Sequence, residues 1–137
     1  MKLNPYLNFD GRCREAFEFY ERALSGKISF IQTFGESPMA SAMPPETHGR
    51  VMHVTLQIGS EVLQGSDSPP GQFTKPGGFA VAVHFDDAAE GERAFEKLAQ
   101  DATVQMPFQA TFWAKGFGML IDQFGTPWIV NAGQVIG

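Results

Sequence analysis

Cysteine is almost missing from this chain: Cys13 is the single thiol in 137 residues. One thiol cannot close an internal disulfide, and it leaves no multi-cysteine metal site. A basic excess is missing too. Ten Lys and Arg stand against fifteen Asp and Glu, for a formal charge of -5. No segment gathers the basic residues into a run or stripe, so the chain offers no electrostatic footprint for nucleic acid or for anionic lipid. Long apolar runs do not occur, and the start MKLNPYLNF lacks signal-peptide order. These absences lead to the expectation of a soluble, cytoplasmic protein without nucleic-acid or membrane partners. What is present is ample apolar material, 43% of residues. That suffices for one packed core, in a chain too short for two independent domains of ordinary size. A single domain over 1–137 is expected.

Residues 3–9 (LNPYLNF) read as a short strand. Cys13, Ala16, Phe17, Tyr20, Ala23 and Leu24 then step by three and four, which is one face of a helix. Asp10 stands before it as a candidate N-cap, and Gly26 stands where a left-handed residue would end it. A second strand is predicted over Lys27–Phe34. The stretch Gly35–Arg50 carries three prolines, two glycines and no regular period, so it reads as a long mobile loop. Two runs, Val51–Ile58 and Glu61–Ser66, flank Gly59-Ser60 as a two-residue hairpin would require. That register sets Thr55 opposite Gln64 and His53 opposite Ser66. Alternation then puts His53, Thr55, Gln57, Gln64 and Ser66 on one side and Val54, Leu56, Ile58 and Leu63 on the other.

The Pro- and Gly-rich stretch 68–78 reads as a linker between a first module, about 1–67, and a second, about 79–137. The second repeats the element order of the first. Phe79–Phe85 is a strand, Asp87 and Glu90 have capping-box-like spacing, and Phe95, Leu98 and Ala99 give the next helix an apolar stripe. Three more strands are predicted over about Val104–Trp113, Phe117–Gln123 and Thr126–Asn131. Aligning residues 7–24 with 83–100 matches Phe9 with Phe85, Asp10 with Asp86, Phe19 with Phe95 and Ala23 with Ala99. Four matches in eighteen are thin support, so the repeated order of elements carries the duplication.

Three segments, PYLNFDGRCREAFEFYERAL, HVTLQIGSEVLQGSD and TFWAKGFGMLIDQFGTPWIVN, resemble the PhnB-like branch of the vicinal-oxygen-chelate superfamily along nearly the whole chain. The last is the most specific, with TFW, a Gly-Phe-Gly strand and then Asp-x-Phe-Gly-x-x-Trp-x-x-Asn. The resemblance implies an α+β glyoxalase/bleomycin-resistance fold, in which two βαβββ modules curve a mixed sheet around a cavity, in a homodimer. Metal-dependent relatives take four ligands from the first and last strands of each module. Carried over, those positions fall at Pro5, at Gln64 or its neighbour Leu63, at Ala80 and at Ile129. Only Gln64 offers a donor atom, too little for zinc, nickel or iron. No metal and no other cofactor is expected.

The chemistry-bearing residues each have a plain structural reading beside the functional one. His48 and Glu46 lie in the loop and could join His53 on a metal, though a solvated His48 is the simpler reading. His53, on the polar face, is expected to line the cavity, and it is the one candidate general base, with no orienting carboxylate evident. His84 shares the parity of Ala80, at the rim or inside. Asn131 shares the parity of Ile129, whereas Trp128 faces the helix layer as core. Trp113 and Phe112 precede Gly116 and Gly118, where glycines permit a bend or close ligand approach. Asp67 reads as a turn or cap residue, and Cys13 as buried and inert.

The expected ligand set is therefore His53, Thr55, Gln57, Gln64, Ser66, His84, Trp113 and Asn131. The expected function is metal-independent binding of a small molecule in the inter-module cavity. The alternative is an enzyme of the same superfamily with a displaced metal site or His53 acid-base chemistry. Methyltransferase activity, a label sometimes attached to such sequences, is not expected. No strand, Gly-rich turn and acidic residue follow one another as S-adenosylmethionine binding would need.

Overall fold

The computed structural model describes residues 1–137, which form two compact units, 1–74 and 75–137. The first unit contains strand β1 (Tyr6–Phe9), helix α1 (Cys13–Ala23), and strands β2 (Lys27–Thr33), β3 (Val51–Ile58) and β4 (Glu61–Asp67). Its sheet order is β1-β4-β3-β2, with β1 parallel to β4 and the other pairs antiparallel. Period-two alternation gives this sheet a buried side. Leu7, Phe9, Val54, Leu56 and Leu63 are buried, as are Cys13, Ala16, Phe17, Tyr20 and Ala23 of α1. Phe17 meets Phe9 and Tyr20 edge-on, at centroid distances of 6.1 and 5.5 Å. Full burial of each large side chain is worth about 1.5–3 kcal/mol. Gly65 of β4 is part of this packing, because a Cβ there would lie 2.6 Å from the Phe17 ring.

The hairpin register is the one expected, with Thr55 across from Gln64 and Val54 across from Gly65. The helix ends differ from expectation. Asp10 does not cap α1: its carboxylate pairs with Arg50, 2.9 Å away. The cap comes instead from the end of β4. Asp67 is buried, and its Oδ1 accepts the backbone N–H groups of Gly11 (2.8 Å) and Cys13 (3.1 Å). Its Oδ2 accepts that of Val51 (2.9 Å). At the other end Ser25, not Gly26, takes the left-handed conformation (φ 54°), and the Gly26 N–H closes back on the Glu21 carbonyl at 3.0 Å. Gly26 is required for space, since a Cβ would stand 2.9 Å from the Gln57 carbonyl oxygen. Burial, reinforced by the neighbouring Asp67 charge, pushes the Cys13 thiol pKa far up, in keeping with an inert cysteine.

Residues 35–50 are organised rather than featureless. Two short 3-10 turns, Ala40–Ala42 and Pro45–Thr47, lie within them. His48 is not a solvated loop histidine. Its Nε2 sits 2.9 Å from the Ala40 carbonyl and 3.1 Å from that of Met43. Both are acceptors, so that nitrogen carries the proton and fastens the two turns together.

The second unit contains β5 (Val81–Phe85), α2 (Ala88–Leu98), β6 (Thr103–Gln109), β7 (Ala114–Ile121) and β8 (Pro127–Gln134), in the order β5-β8-β7-β6. Here too the first and last strands are parallel and the rest antiparallel. Both units thus carry the expected βαβββ order, and the architecture is α+β. The strand expected to run through Trp113 ends at Gln109, and Phe112 and Trp113 lie in the turn before β7. Their apolar character, read as strand, belongs instead to an aromatic stack within the turn. Trp128 is core, as expected. No helix is long and apolar enough to cross a membrane.

Removing the Asp67 carboxylate strands the backbone donors of Cys13 and Val51 in a buried setting, each worth about 1–3 kcal/mol, and that of Gly11 nearer the surface. Asp67→Ala is therefore expected to lower unfolding free energy by at least about 2 kcal/mol in urea titrations. A loss below about 1 kcal/mol would show that water takes over those donors.

Candidate functional site

The side of the first sheet turned away from α1 carries polar and aromatic groups. In the register Tyr6 stands across from Gln64 and Asn8 from Ser66. Thr55 stands across from Gln64 on one side and Phe30 on the other, and His53 stands across from Gln32. His53 is the centre of this group. Its Nδ1 is 3.0 Å from the Tyr6 hydroxyl and its Nε2 is 3.1 Å from the Thr55 hydroxyl. The imidazole stacks with Tyr6 at 5.6 Å and 27°, and lies 6.0 Å from Phe30. Both aromatic rings are open to solvent, Tyr6 at 45% and Phe30 at 48% of full exposure. Ser66 donates to Asn8 Oδ1 at 3.2 Å. Gln57 is engaged elsewhere: its amide donates to the Gly59 (2.8 Å) and Glu61 (3.2 Å) carbonyls and braces the hairpin turn. Of the residues predicted for this face, His53, Thr55, Gln64 and Ser66 come together around Tyr6, Asn8 and Phe30. Those last three were absent from the expected set.

The corresponding side of the second sheet sets His84 across from Asn131, Ala82 across from Ile129, and Phe117 across from Asn131 on the other flank. Asn131 is buried at 3% exposure. Its Nδ2 donates to His84 Nδ1 at 3.2 Å and to Gln134 Oε1. Trp113 meets Phe112 and Phe117 edge-on, at 4.8 and 5.0 Å. Gly116 and Gly118 do not admit a ligand. A Cβ on Gly116 would stand 2.2 Å from the Phe108 ring, and one on Gly118 would stand 2.5 Å from the Phe95 ring. They are small because core aromatics cross them.

A family model described as 3-demethylubiquinone-9 3-methyltransferase matches residues 1–131. Protein YjdN of Escherichia coli (strain K12) is 32% identical over 139 residues, covering 96% of this chain and 95% of YjdN. The chain belongs to this family, the PhnB-like branch of the vicinal-oxygen-chelate superfamily. The crystal structure of PA1353 from Pseudomonas aeruginosa is similar at a TM-score of 0.87 and 40% identity, covering 98% of this chain and 99% of that one. A Bacillus cereus structure titled putative 3-demethylubiquinone-9 3-methyltransferase, PhnB protein, is similar at 0.79 and 28%, covering 96% and 99%.

Membership in the PhnB-like branch gives meaning to the closing motif. Asp122 accepts from the N–H groups of Phe124 (2.8 Å) and Thr126 (3.0 Å) through Oδ1, and from Trp128 Nε1 (2.8 Å) through Oδ2. Gly125 supplies the positive φ (93°) of that turn. The Asp, Gly and Trp of the PhnB-like pattern are thus a structural clasp, while Asn131 faces away from the helix.

The metal set of the wider superfamily does not fit these residues. Pro5 precedes β1, where its carbonyl accepts the Gln64 N–H at 3.2 Å. Tyr6 is the residue across from Gln64, and Ala82, not Ala80, is across from Ile129. The carried-over positions Pro5, Gln64, Ala80 and Ile129 and the cross-strand partners Tyr6 and Ala82 hold one phenol and one amide between them, and no three His, Cys, Asp or Glu groups gather as a ligand cluster. His48 spends its Nε2 on two loop carbonyls, and it gathers into no ligand cluster with Glu46 and His53.

If Gly116 is a packing residue, Gly116→Ala should lower stability by about 1–3 kcal/mol through displacement of Phe108. Thermal unfolding of the variant checks this. Full stability together with altered ligand affinity would return Gly116 to a ligand-approach role.

Proposed function

We propose that this PhnB-like protein binds an uncharged, planar small molecule on the open side of its first sheet, without a metal ion. The observation that carries the reading is the Tyr6, His53 and Phe30 group, three rings gathered on a solvent-facing side with both outer rings exposed. Rings left open in this way lose the burial that would stabilise them, and a ligand that covers them restores it. Stacking adds about 0.5–1.5 kcal/mol per ring pair beyond area. Around the rings stand amides and hydroxyls from Asn8, Thr55, Gln64 and Ser66, and no charged side chain is among them. Such a lining can satisfy the hydrogen bonds of a neutral ligand.

The enzymatic alternative draws less support. His53 has hydroxyls on both ring nitrogens and no carboxylate to orient it as a base. Methyl transfer is not part of the proposal, because two four-stranded sheets of order 1-4-3-2 lack the doubly wound parallel sheet of a Rossmann-like methyltransferase. A homodimer in the cytoplasm belongs to the same proposal. The dimer is supported by superfamily habit.

A thermal-shift and calorimetric screen of neutral heteroaromatics and quinones against matched phosphonates, all in chelator, tests the reading. Neutral planar compounds should stabilise the protein, and Tyr6→Ala or His53→Ala should weaken the best of them about tenfold. Binding that disappears in chelator and returns with a divalent metal would contradict it.

A further inference from the structure

The hydroxyls on either side of His53 obey a rule of proton counting. Tyr6 Oη stands 3.0 Å from Nδ1, and Thr55 Oγ1 stands 3.1 Å from Nε2. A neutral imidazole has one N–H and one bare nitrogen, so it donates to one hydroxyl and accepts from the other. The hydroxyl that accepts keeps its own proton. In either tautomer, therefore, the trio holds one O–H that points to neither ring nitrogen.

Position decides which hydroxyl can present that proton to a ligand. Thr55 lies on β3 between Gln64 and Phe30 of the neighbouring strands, and its bond to His53 is half-buried. Tyr6 lies on β1 at one edge of the sheet, and its bond to His53 is exposed, like its ring. With the imidazole proton on Nδ1, the Tyr6 proton turns away from His53 and is open to an incoming acceptor. Asn8, two residues along β1 on the same side, carries the same bias. Its Oδ1 already accepts from Ser66 at 3.2 Å, which leaves its N–H groups as donors. This part of the sheet therefore favours a ligand that brings an acceptor.

We propose that the Tyr6 hydroxyl selects the ligand, and that the ligand is a planar carbonyl compound of the aromatic-ketone type. The inference rests on the stacking site proposed for the first sheet and says what that site reads. The carbonyl oxygen of the ligand accepts from Tyr6 Oη, Tyr6 Oη accepts from His53 Nδ1, and His53 Nε2 accepts from the Thr55 hydroxyl. Every donor in that chain has an acceptor. Binding thus fixes the imidazole in its Nδ1–H form, with His53 and Thr55 as positioning residues for the Tyr6 proton.

Chromone and indole test this, because both are flat bicyclic molecules of similar area. Chromone has a carbonyl and no N–H, and indole has an N–H and no carbonyl. Chromone should bind about fivefold more tightly by calorimetry, the worth of one neutral hydrogen bond. Tyr6→Phe keeps the ring and should bring chromone down to the affinity of indole. In protein carrying nitrogen-15 histidine, in mildly alkaline buffer, the chromone complex should show the His53 proton on Nδ1, a signal that a purely structural Tyr6 would not set. Equal affinity for the two compounds, a preference for chromone that persists in Tyr6→Phe, or a complex with the proton on Nε2 would overturn the inference and leave the stacking site standing. If neither compound moves the Tyr6, His53 and Phe30 resonances, the stacking site fails and the inference with it. The wild-type comparison and the His53 spectrum need no variant, so they decide the matter even if Tyr6→Phe folds poorly.

Discussion

The Asp67 carboxylate ties together parts of the chain that lie far apart in sequence. Its two oxygens accept three backbone N–H groups, from the turn entering α1, from the first residue of α1 and from the first residue of β3. Those groups would otherwise be orphaned, because a helix start and a strand start both leave donors without partners. By meeting them, Asp67 fixes the end of β4 against the start of β3 and the start of α1. Register along β1-β4-β3 follows, and with it the choice of side chains that face the helix and those that face away. In the second unit Asp122 does similar work within one turn, holding two N–H groups and the Trp128 indole.

Given that register, the chemistry of the open sides follows from alternation. In the first unit the residues facing away from α1 are neutral and partly aromatic, and His53 is bracketed by hydroxyls. In the second unit Asn131 faces away while its neighbours Trp128 and Val130 are buried in the core.

Much of this was legible in the sequence where the signal was local. Apolar steps of three and four placed α1 and its buried stripe, and Gly59-Ser60 placed the hairpin and set Thr55 across from Gln64. The misses share a cause, which is contact over long sequence distance. Asp10 looks like a cap until Arg50, forty residues on, takes its carboxylate, and the true cap arrives from Asp67. Tyr6 and Asn8 join the site because β1 pairs with β4, a parallel pairing that no local pattern announces. Phe30 joins through a strand with an irregular register. Gly116 and Gly118 looked like room for a ligand, but the space they leave is filled by Phe108 and Phe95 on the helix side. The PhnB-like pattern was legible as a family signature, yet the labour of its Asp and Trp appears only once their hydrogen bond is seen.

The central claim is that the open side of the first sheet holds a neutral ligand by stacking and hydrogen bonding alone. The most direct measurement is a crystal structure of the protein with the tightest neutral binder, grown in chelator. The account predicts a planar density against Tyr6, His53 and Phe30, with polar contacts to Gln64, Thr55 or Ser66. A ligand bound elsewhere with these rings left bare, or one held through a metal ion, would contradict it.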